Sequence, residues 1–198
     1  MADSLYLSVW FPNFSEREML PRMLSVMRQF PFSAQHPGIG YVAVHPISWN
    51  EPPIYAQSFD FRADPPRAVA LAAEFLHDDF AYEFEALWDL WTPNEEDSTE
   101  WTVKPEPVRF VAHGMNFDDG IFQQHGHVMV DLGLDTPFLA DDFEFTDEVE
   151  QRVRANVQKL VGFTTAVEKN CGISGRVLWS ESEESLARKL ISRLQQTH

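Results

Sequence analysis

The clearest pattern in this sequence is an alternation of apolar and polar residues between Phe80 and Trp91. Every second position is apolar, at Phe80, Tyr82, Phe84, Ala86, Trp88 and Leu90. Glu83, Glu85 and Asp89 occur among the residues between them. Successive side chains of a strand point to opposite faces of a sheet, so the pattern predicts a long strand with one apolar and one largely acidic face. We expect this strand near the interior of its sheet.

Shorter runs rich in strand-forming residues predict six further strands. These runs cover residues 5–11, 39–45, 54–59, 108–113, 127–132 and 176–179. Helical spacing or a helix-forming composition predicts helices at about residues 16–29, 65–76 and 147–171, and a fourth from Ser180 onward. Residues 135–144 are acidic and read as a linker.

Residues at the expected helix starts support these assignments. Ser15 with Glu18 has the spacing of a capping box, and Asp64 and Thr146 are good N-cap residues. Pro21 falls inside the first helix and predicts a kink or a later start.

The order of the elements indicates the fold class. Strand, helix, strand, strand, helix, strand over residues 1–92 is the order of a ferredoxin-like βαββαβ unit, and the later elements repeat its last part. We predict one α+β domain over residues 1–198, with a largely antiparallel sheet and helices packed on one face. An imperfect duplication is a hypothesis, with halves 1–92 and 107–198 joined by an acidic, proline-containing linker.

The net charge limits the kinds of partner that we expect, and the cysteine content bears on the location of the protein. Fifteen Lys and Arg stand against 31 Asp and Glu, a net charge of −16, which disfavours nucleic acid and anionic membranes. Such acidity serves solubility or attracts a basic protein or a cation. Cys171 is the only cysteine, and there is neither a signal-peptide pattern nor a run of 18 apolar residues. We therefore expect a cytoplasmic location.

A histidine-rich segment is a candidate metal site. On a strand, His125, His127 and Asp131 would share one face, and His113 could join them across a hairpin. Two or three imidazoles and a carboxylate are a ligand set for a divalent ion such as Zn²⁺ or Fe²⁺. Solvated histidines on an open sheet face are the alternative.

Two tryptophans in predicted loops are candidate binding residues. Trp49 and Trp101 could anchor a partner, or fold back over the edge of the core, whereas Trp88 and Trp179 are expected in the core. The acidic strand residues Glu83, Glu85 and Asp89 are further candidate contacts for a basic surface.

Three hypotheses about function follow. The first is a binding or interaction protein without a cofactor, which is favoured because no complete catalytic motif is present. The acidic charge indicates a basic protein as its partner. The second is a small metal-dependent enzyme that uses the His-x-His face. The third is a homo-oligomer that buries the open face of its sheet.

Overall fold

Seven strands form one antiparallel sheet in the computed structural model, which describes residues 3–94, 100–140 and 146–181. The strands are β1 (Ser4–Trp10), β2 (Ile39–Pro46), β3 (Tyr55–Ala63), β4 (Phe80–Pro93), β5 (Trp101–His113), β6 (Val128–Leu134) and β7 (Gly175–Ser180). Their order across the sheet is β3-β2-β4-β5-β6-β1-β7. The predicted α+β class with an antiparallel sheet is confirmed, and β4 lies inside the sheet as expected.

Five α-helices and one 3₁₀ turn accompany the sheet in the described part of the chain. They are α1 (Glu16–Met27), α2 (Pro65–Ala73), α3 (Phe122–His125), α4 (Thr136–Leu139) and α5 (Asp147–Asn170), with the turn at Phe117–Asp119. None of the described helices is both long enough and apolar enough to cross a membrane. The helix predicted from Ser180 onward falls almost entirely on residues 182–198, outside the described residues.

The main hydrophobic core lies between one face of the sheet and the helices α1, α2 and α5. On β4, the predicted apolar face is confirmed, since Tyr82, Phe84 and Trp88 are fully buried in this core. The helices supply buried side chains such as Met23 from α1 and Phe163 from α5. Helix α4 packs on this same face, since its Phe138 and Leu139 belong to the main core. The other face carries a smaller apolar cluster, so the predicted packing of helices on one face holds for α1, α2, α4 and α5.

The helix starts follow their predicted caps in two of three cases. Asp64 accepts a hydrogen bond from the backbone N–H of Arg67 at 2.8 Å, and Thr146 accepts one from Val149 at 3.3 Å. At Ser15 the predicted capping box is wrong, because the side chain of this residue makes no cap hydrogen bond. Helix α1 also continues through Pro21.

The segment predicted as a proline-containing linker is mostly strand. β4 runs to Pro93 and β5 begins at Trp101, while residues 95–99 lie outside the described part of the chain. Pro105 and Pro107 are accommodated because β5 pairs on its other side with β6 only from Arg109 onward. Proline is tolerated where a strand has one free edge. The loop prediction was therefore wrong for residues 101–107.

The acidic stretch at residues 135–144 also contains regular structure. Residues 136–139 form α4, in which Phe138 and Leu139 are buried. Asn156 of α5 fixes this region to β4, since it bonds both the N–H and the carbonyl of Trp91 and donates to the carbonyl of Pro137. Residues 141–145 lie outside the described part.

The strands of the two predicted halves are not grouped separately in the sheet. β1, from the first half of the chain, lies between β6 and β7 from the second half. The predicted duplication of a ferredoxin-like unit is accordingly not confirmed.

Candidate functional site

A cleft of about 530 Å³ opens on the face of the sheet opposite α1, α2 and α5. We call it the open-face cleft. Its lining residues come from four strands, two loops, helix α3 and the chain after β7: Tyr6, Trp49, Arg109, Val111, Ile121, His125, Met129, Trp179 and Glu181. Val111 and Met129 alternate along their strands with residues of the main core, which directs them to the open face.

Strand register brings the polar and aromatic side chains of the cleft into one row. Arg109 of β5 pairs with Asp131 of β6, Asp131 pairs with Tyr6 of β1, and Tyr6 pairs with Trp179 of β7. Residues directly opposite one another on adjacent strands lie on the same face. Four side chains that are far apart in the sequence therefore become neighbours.

One wall of the cleft consists of two stacked rings. The ring centroids of Tyr6 and Trp179 are 4.5 Å apart at an angle of 24°. The indole N–H of Trp179 donates to Ser8 Oγ at 2.9 Å, and the Tyr6 hydroxyl donates to Glu181 Oε1 at 3.2 Å. These bonds fix the orientation of both rings. Partial burial raises the pKa of Tyr6, so its hydroxyl stays protonated and can donate.

Trp49 forms the opposite wall and is 37% exposed. Its ring lies 4.8 Å from that of His45 and meets the ring of Phe117 edge-on at 5.1 Å. Two backbone hydrogen bonds of Ile47 hold this loop in place, one to the carbonyl of Asp79 at 2.8 Å and one from the N–H of Asp118 at 2.7 Å. Trp49 is thus an exposed aromatic side chain on an anchored loop.

Carboxylates surround the single guanidinium of the cleft. Arg109 donates to Asp131 Oδ2 at 3.1 Å, and its Nη1 lies 3.7 Å from Glu83 Oε1. The other oxygen of Glu83 lies 2.7 Å from Nε2 of His45. With Glu181 at the cleft rim, three carboxylates accompany one guanidinium. The electrostatic character of this region is acidic.

The predicted acidic contacts fall into two groups. Glu83 lies beside Arg109, and Glu85 is the register partner of Arg109 on β4. Burial, and then the charge of Glu83, raise the pKa of Glu85. Asp89 lies further along β4, where it accepts a hydrogen bond from the N–H of Ala34 at 2.9 Å. Asp89 therefore has a local structural partner and does not line the cleft.

The predicted tryptophans are also divided by the structure. Trp49 lines the cleft, whereas Trp101 begins β5 and is only 3% exposed. Trp101 packs against Val149 and Val153 of α5, so it offers no exposed contact surface. Trp88 is buried as expected, but Trp179 lies on the open face instead of in the main core. The reason is the register of β7, which pairs Trp179 with Tyr6 of β1. Leu5 and Leu7 on either side of Tyr6 face the main core, so Tyr6 and its partner Trp179 face the other way.

His113 is a fully buried residue at the end of β5. Its Nδ1 lies 2.9 Å from the carbonyl oxygen of Gly126, which can only accept, so Nδ1 carries the proton. Nε2 is buried and has no hydrogen-bond partner among the described residues. Burial lowers the pKa of His113 to about 4, which keeps the ring neutral at physiological pH.

His127 is buried, and its hydrogen bond and ring contacts connect two segments of the chain. Its Nδ1 accepts the backbone N–H of Phe11 at 3.0 Å, and its ring lies between the rings of Phe14 and Phe122, at 4.0 and 5.0 Å. Burial lowers the pKa of His127 to about 4. This histidine joins the chain after β1 to the segment before β6.

The structure does not place the predicted metal ligands on one strand face. β6 begins at Val128, because the short helix α3 ends at His125 and Gly126 then turns the chain with a φ of 89°. A side chain at position 126 would lie within 3 Å of the backbone of Val9, so this turn requires glycine. His125 lines the cleft and Asp131 pairs with Arg109. His113 is buried beside the cleft, and His127 is buried against Phe14 and Phe122.

One cluster in the described residues has three metal-ligating groups with ligand atoms within 4.8 Å of one another, and it consists of His77, Asp78 and Asp79. It contains none of the predicted ligands His113, His125, His127 and Asp131. The metal-dependent alternative therefore gains no geometric support and stays a prediction.

The sequence reasoning missed Tyr6, Arg109 and Trp179 as site residues. The strand containing Arg109 was assigned, but which strand lies beside it depends on long-range pairing that local periodicity does not report. The alternation in β4 was a signal for this face of the sheet, because it already directed Glu83 to it.

Comparisons of this chain with protein-family models, curated proteins and solved structures found no match. Functional inference therefore depends on the chemistry of the cleft.

Proposed function

We propose that this chain is a binding protein whose open-face cleft takes a positively charged organic group. The observation that carries this proposal is the combination of aromatic rings and excess carboxylates around one cavity. Tyr6, Trp49 and Trp179 supply ring faces, which attract cations through their quadrupoles. Glu181 supplies negative charge in the lining of the cavity, and Asp131 adds a second carboxylate that is paired with the lining residue Arg109.

The pairing of Arg109 argues against an anionic ligand. Asp131 and Glu83 already neutralise its guanidinium, at 3.1 and 3.7 Å. An incoming carboxylate or phosphate would have to displace one of these side chains or lie against their charge. A cation meets no such opposition.

The volume of the cleft suits a small ligand or part of a larger one. Small-molecule sites typically measure about 300 to 1,000 Å³, and the cleft falls within this range. A free amine and a basic side chain of a partner protein present the same cationic chemistry. The predicted basic protein partner thus remains one source of the ligand, and the net charge of −16 favours its approach.

A charge-matched set of probes tests the proposal. 2-Phenylethylamine, 2-phenylethanol and 3-phenylpropionate share a phenyl ring but are cationic, neutral and anionic at pH 7. Isothermal titration calorimetry should give the tightest binding for the amine, at least about tenfold tighter than for the carboxylate, since tenfold corresponds to only about 1.4 kcal/mol. A lysine-rich peptide in a parallel titration shows whether a protein segment can supply the cation.

Two variant pairs connect the binding to the cleft. Trp179→Ala should weaken amine binding, whereas Phe61→Ala, which removes a 91% exposed ring on β3, should not. Asp131→Asn should reduce the preference for the amine over the carboxylate because it also releases Arg109. Asp60→Asn removes the same charge from an exposed position on β3 and is the matched control. Tighter binding of the carboxylate than of the amine, or binding of none of the three probes, would contradict the proposal.

A further inference from the structure

An unpaired acceptor atom lies beside the open-face cleft. The Nε2 atom of His113 is buried and has no hydrogen-bond partner among the described residues. The Gly126 carbonyl occupies the other ring nitrogen, at 2.9 Å, and the low pKa of the ring leaves Nε2 with a free lone pair. Buried polar atoms are rarely left unpaired, so this atom requires an explanation.

The surroundings of His113 connect it to the cleft. The residue lies on β5 two positions after Val111, on the same face of the sheet as this cleft-floor residue. Its ring centroid is 6.2 Å from that of Trp49 and 6.4 Å from that of His125, and both of these residues line the cleft. The two nitrogens of an imidazole point to opposite sides of the ring, so Nε2 points away from Gly126.

Trp49 is the neighbour best placed to uncover this atom. Phe117, another ring beside His113, is fully buried, whereas Trp49 is 37% exposed. Rotation of the Trp49 side chain toward solvent would therefore disturb less packing than movement of Phe117. A ligand in the cleft could then reach the imidazole.

We infer that the cleft selects nitrogen cations that keep N–H bonds, such as a primary ammonium group, and that one of these bonds donates to Nε2 of His113. This inference rests on the proposed function. Aromatic rings and carboxylates attract primary and quaternary ammonium ions alike, so they do not distinguish the two. A buried acceptor does distinguish them, because a quaternary ammonium has no N–H and would leave Nε2 unpaired.

The test compares 2-phenylethylamine with its N,N,N-trimethyl derivative, which keeps the ring and the positive charge. Calorimetry should show the primary amine binding at least about tenfold more tightly. In His113→Phe this preference should disappear, while both cations should still bind better than 3-phenylpropionate. His36→Phe, at an exposed position outside the cleft, is the control and should keep the preference.

Because His113→Phe alters a buried residue and could fail to fold, a second measurement uses the unaltered chain. The ¹⁵N resonance of His113 Nε2 should move when the primary amine is added and stay in place with the trimethyl derivative. A stationary Nε2 resonance at saturation with the primary amine would overturn the inference. Equal affinity of the two cations would also overturn the inference. If both cations then still bound more tightly than 3-phenylpropionate, the proposed function would stand. If 3-phenylpropionate bound more tightly than both cations, the proposed function itself would fail.

Discussion

His113 and His127 are both buried, but their hydrogen bonds differ. His127 accepts a backbone N–H at Nδ1 and is enclosed by two phenylalanine rings, so its contacts account for its position. His113 donates from Nδ1 and keeps an unpaired Nε2 next to cleft residues. The contacts of His127 thus stabilise the fold, whereas the unpaired nitrogen of His113 points to ligand recognition.

Both histidines should make the protein less stable at mildly acidic pH. Burial lowers their pKa values from 6.5 to about 4, so between these values the unfolded chain binds more protons than the folded one. The free energy of unfolding should therefore fall as the pH falls from about 6.5 toward 4, by up to about 1.4 kcal/mol per pH unit for each histidine. Urea unfolding at pH 7, 6 and 5 measures this slope.

Variants at two histidines test this assignment. His127→Gln keeps an acceptor for the Phe11 N–H and removes one titrating group, so it should make the slope shallower. His36→Gln, at an exposed position, should leave the slope unchanged. A wild-type stability that is flat from pH 7 to 5 would refute the argument.

Helix starts allow a matched comparison at the level of the elements. The side chain of Asp64 accepts the Arg67 N–H at the start of α2, whereas the side chain of Ser15 makes no such bond at the start of α1. Asp64→Ala should cost about 1 kcal/mol, and Ser15→Ala should cost clearly less. Both residues are exposed, so burial does not complicate the comparison. Equal losses in chemical denaturation would show that the cap bond is not the cause.

Local patterns in the sequence predicted many of the elements, and long-range pairing explains most of what they missed. The alternation in β4 was sufficient to assign its buried face, because period-two burial is a property of a single strand. β5 was predicted too short because Pro105 and Pro107 resemble loop residues until the free edge of that strand is known. The same limit concealed the site, since Arg109, Asp131 and Tyr6 meet only through the pairing of three strands.

At the scale of the whole molecule, the strand order and the charge act together. The position of β1 between β6 and β7 brings Tyr6 and Trp179 beside residues from the middle of the chain. The net charge of −16 adds a long-range negative potential to that of the carboxylates at the cleft. This potential should speed the association of a cationic partner at low salt. Screening over about 8 Å at 0.15 M ionic strength should weaken this long-range contribution.

The most direct measurement of the central claim is a titration followed through the indole N–H resonances of the tryptophans. On addition of 2-phenylethylamine, the signals of Trp49 and Trp179 should shift together and saturate with one dissociation constant, because both rings line the open-face cleft. The signals of the buried Trp88 and Trp101 should stay in place. Saturable shifts at Trp88 or Trp101 with none at Trp49 and Trp179 would place the binding site elsewhere and contradict the account.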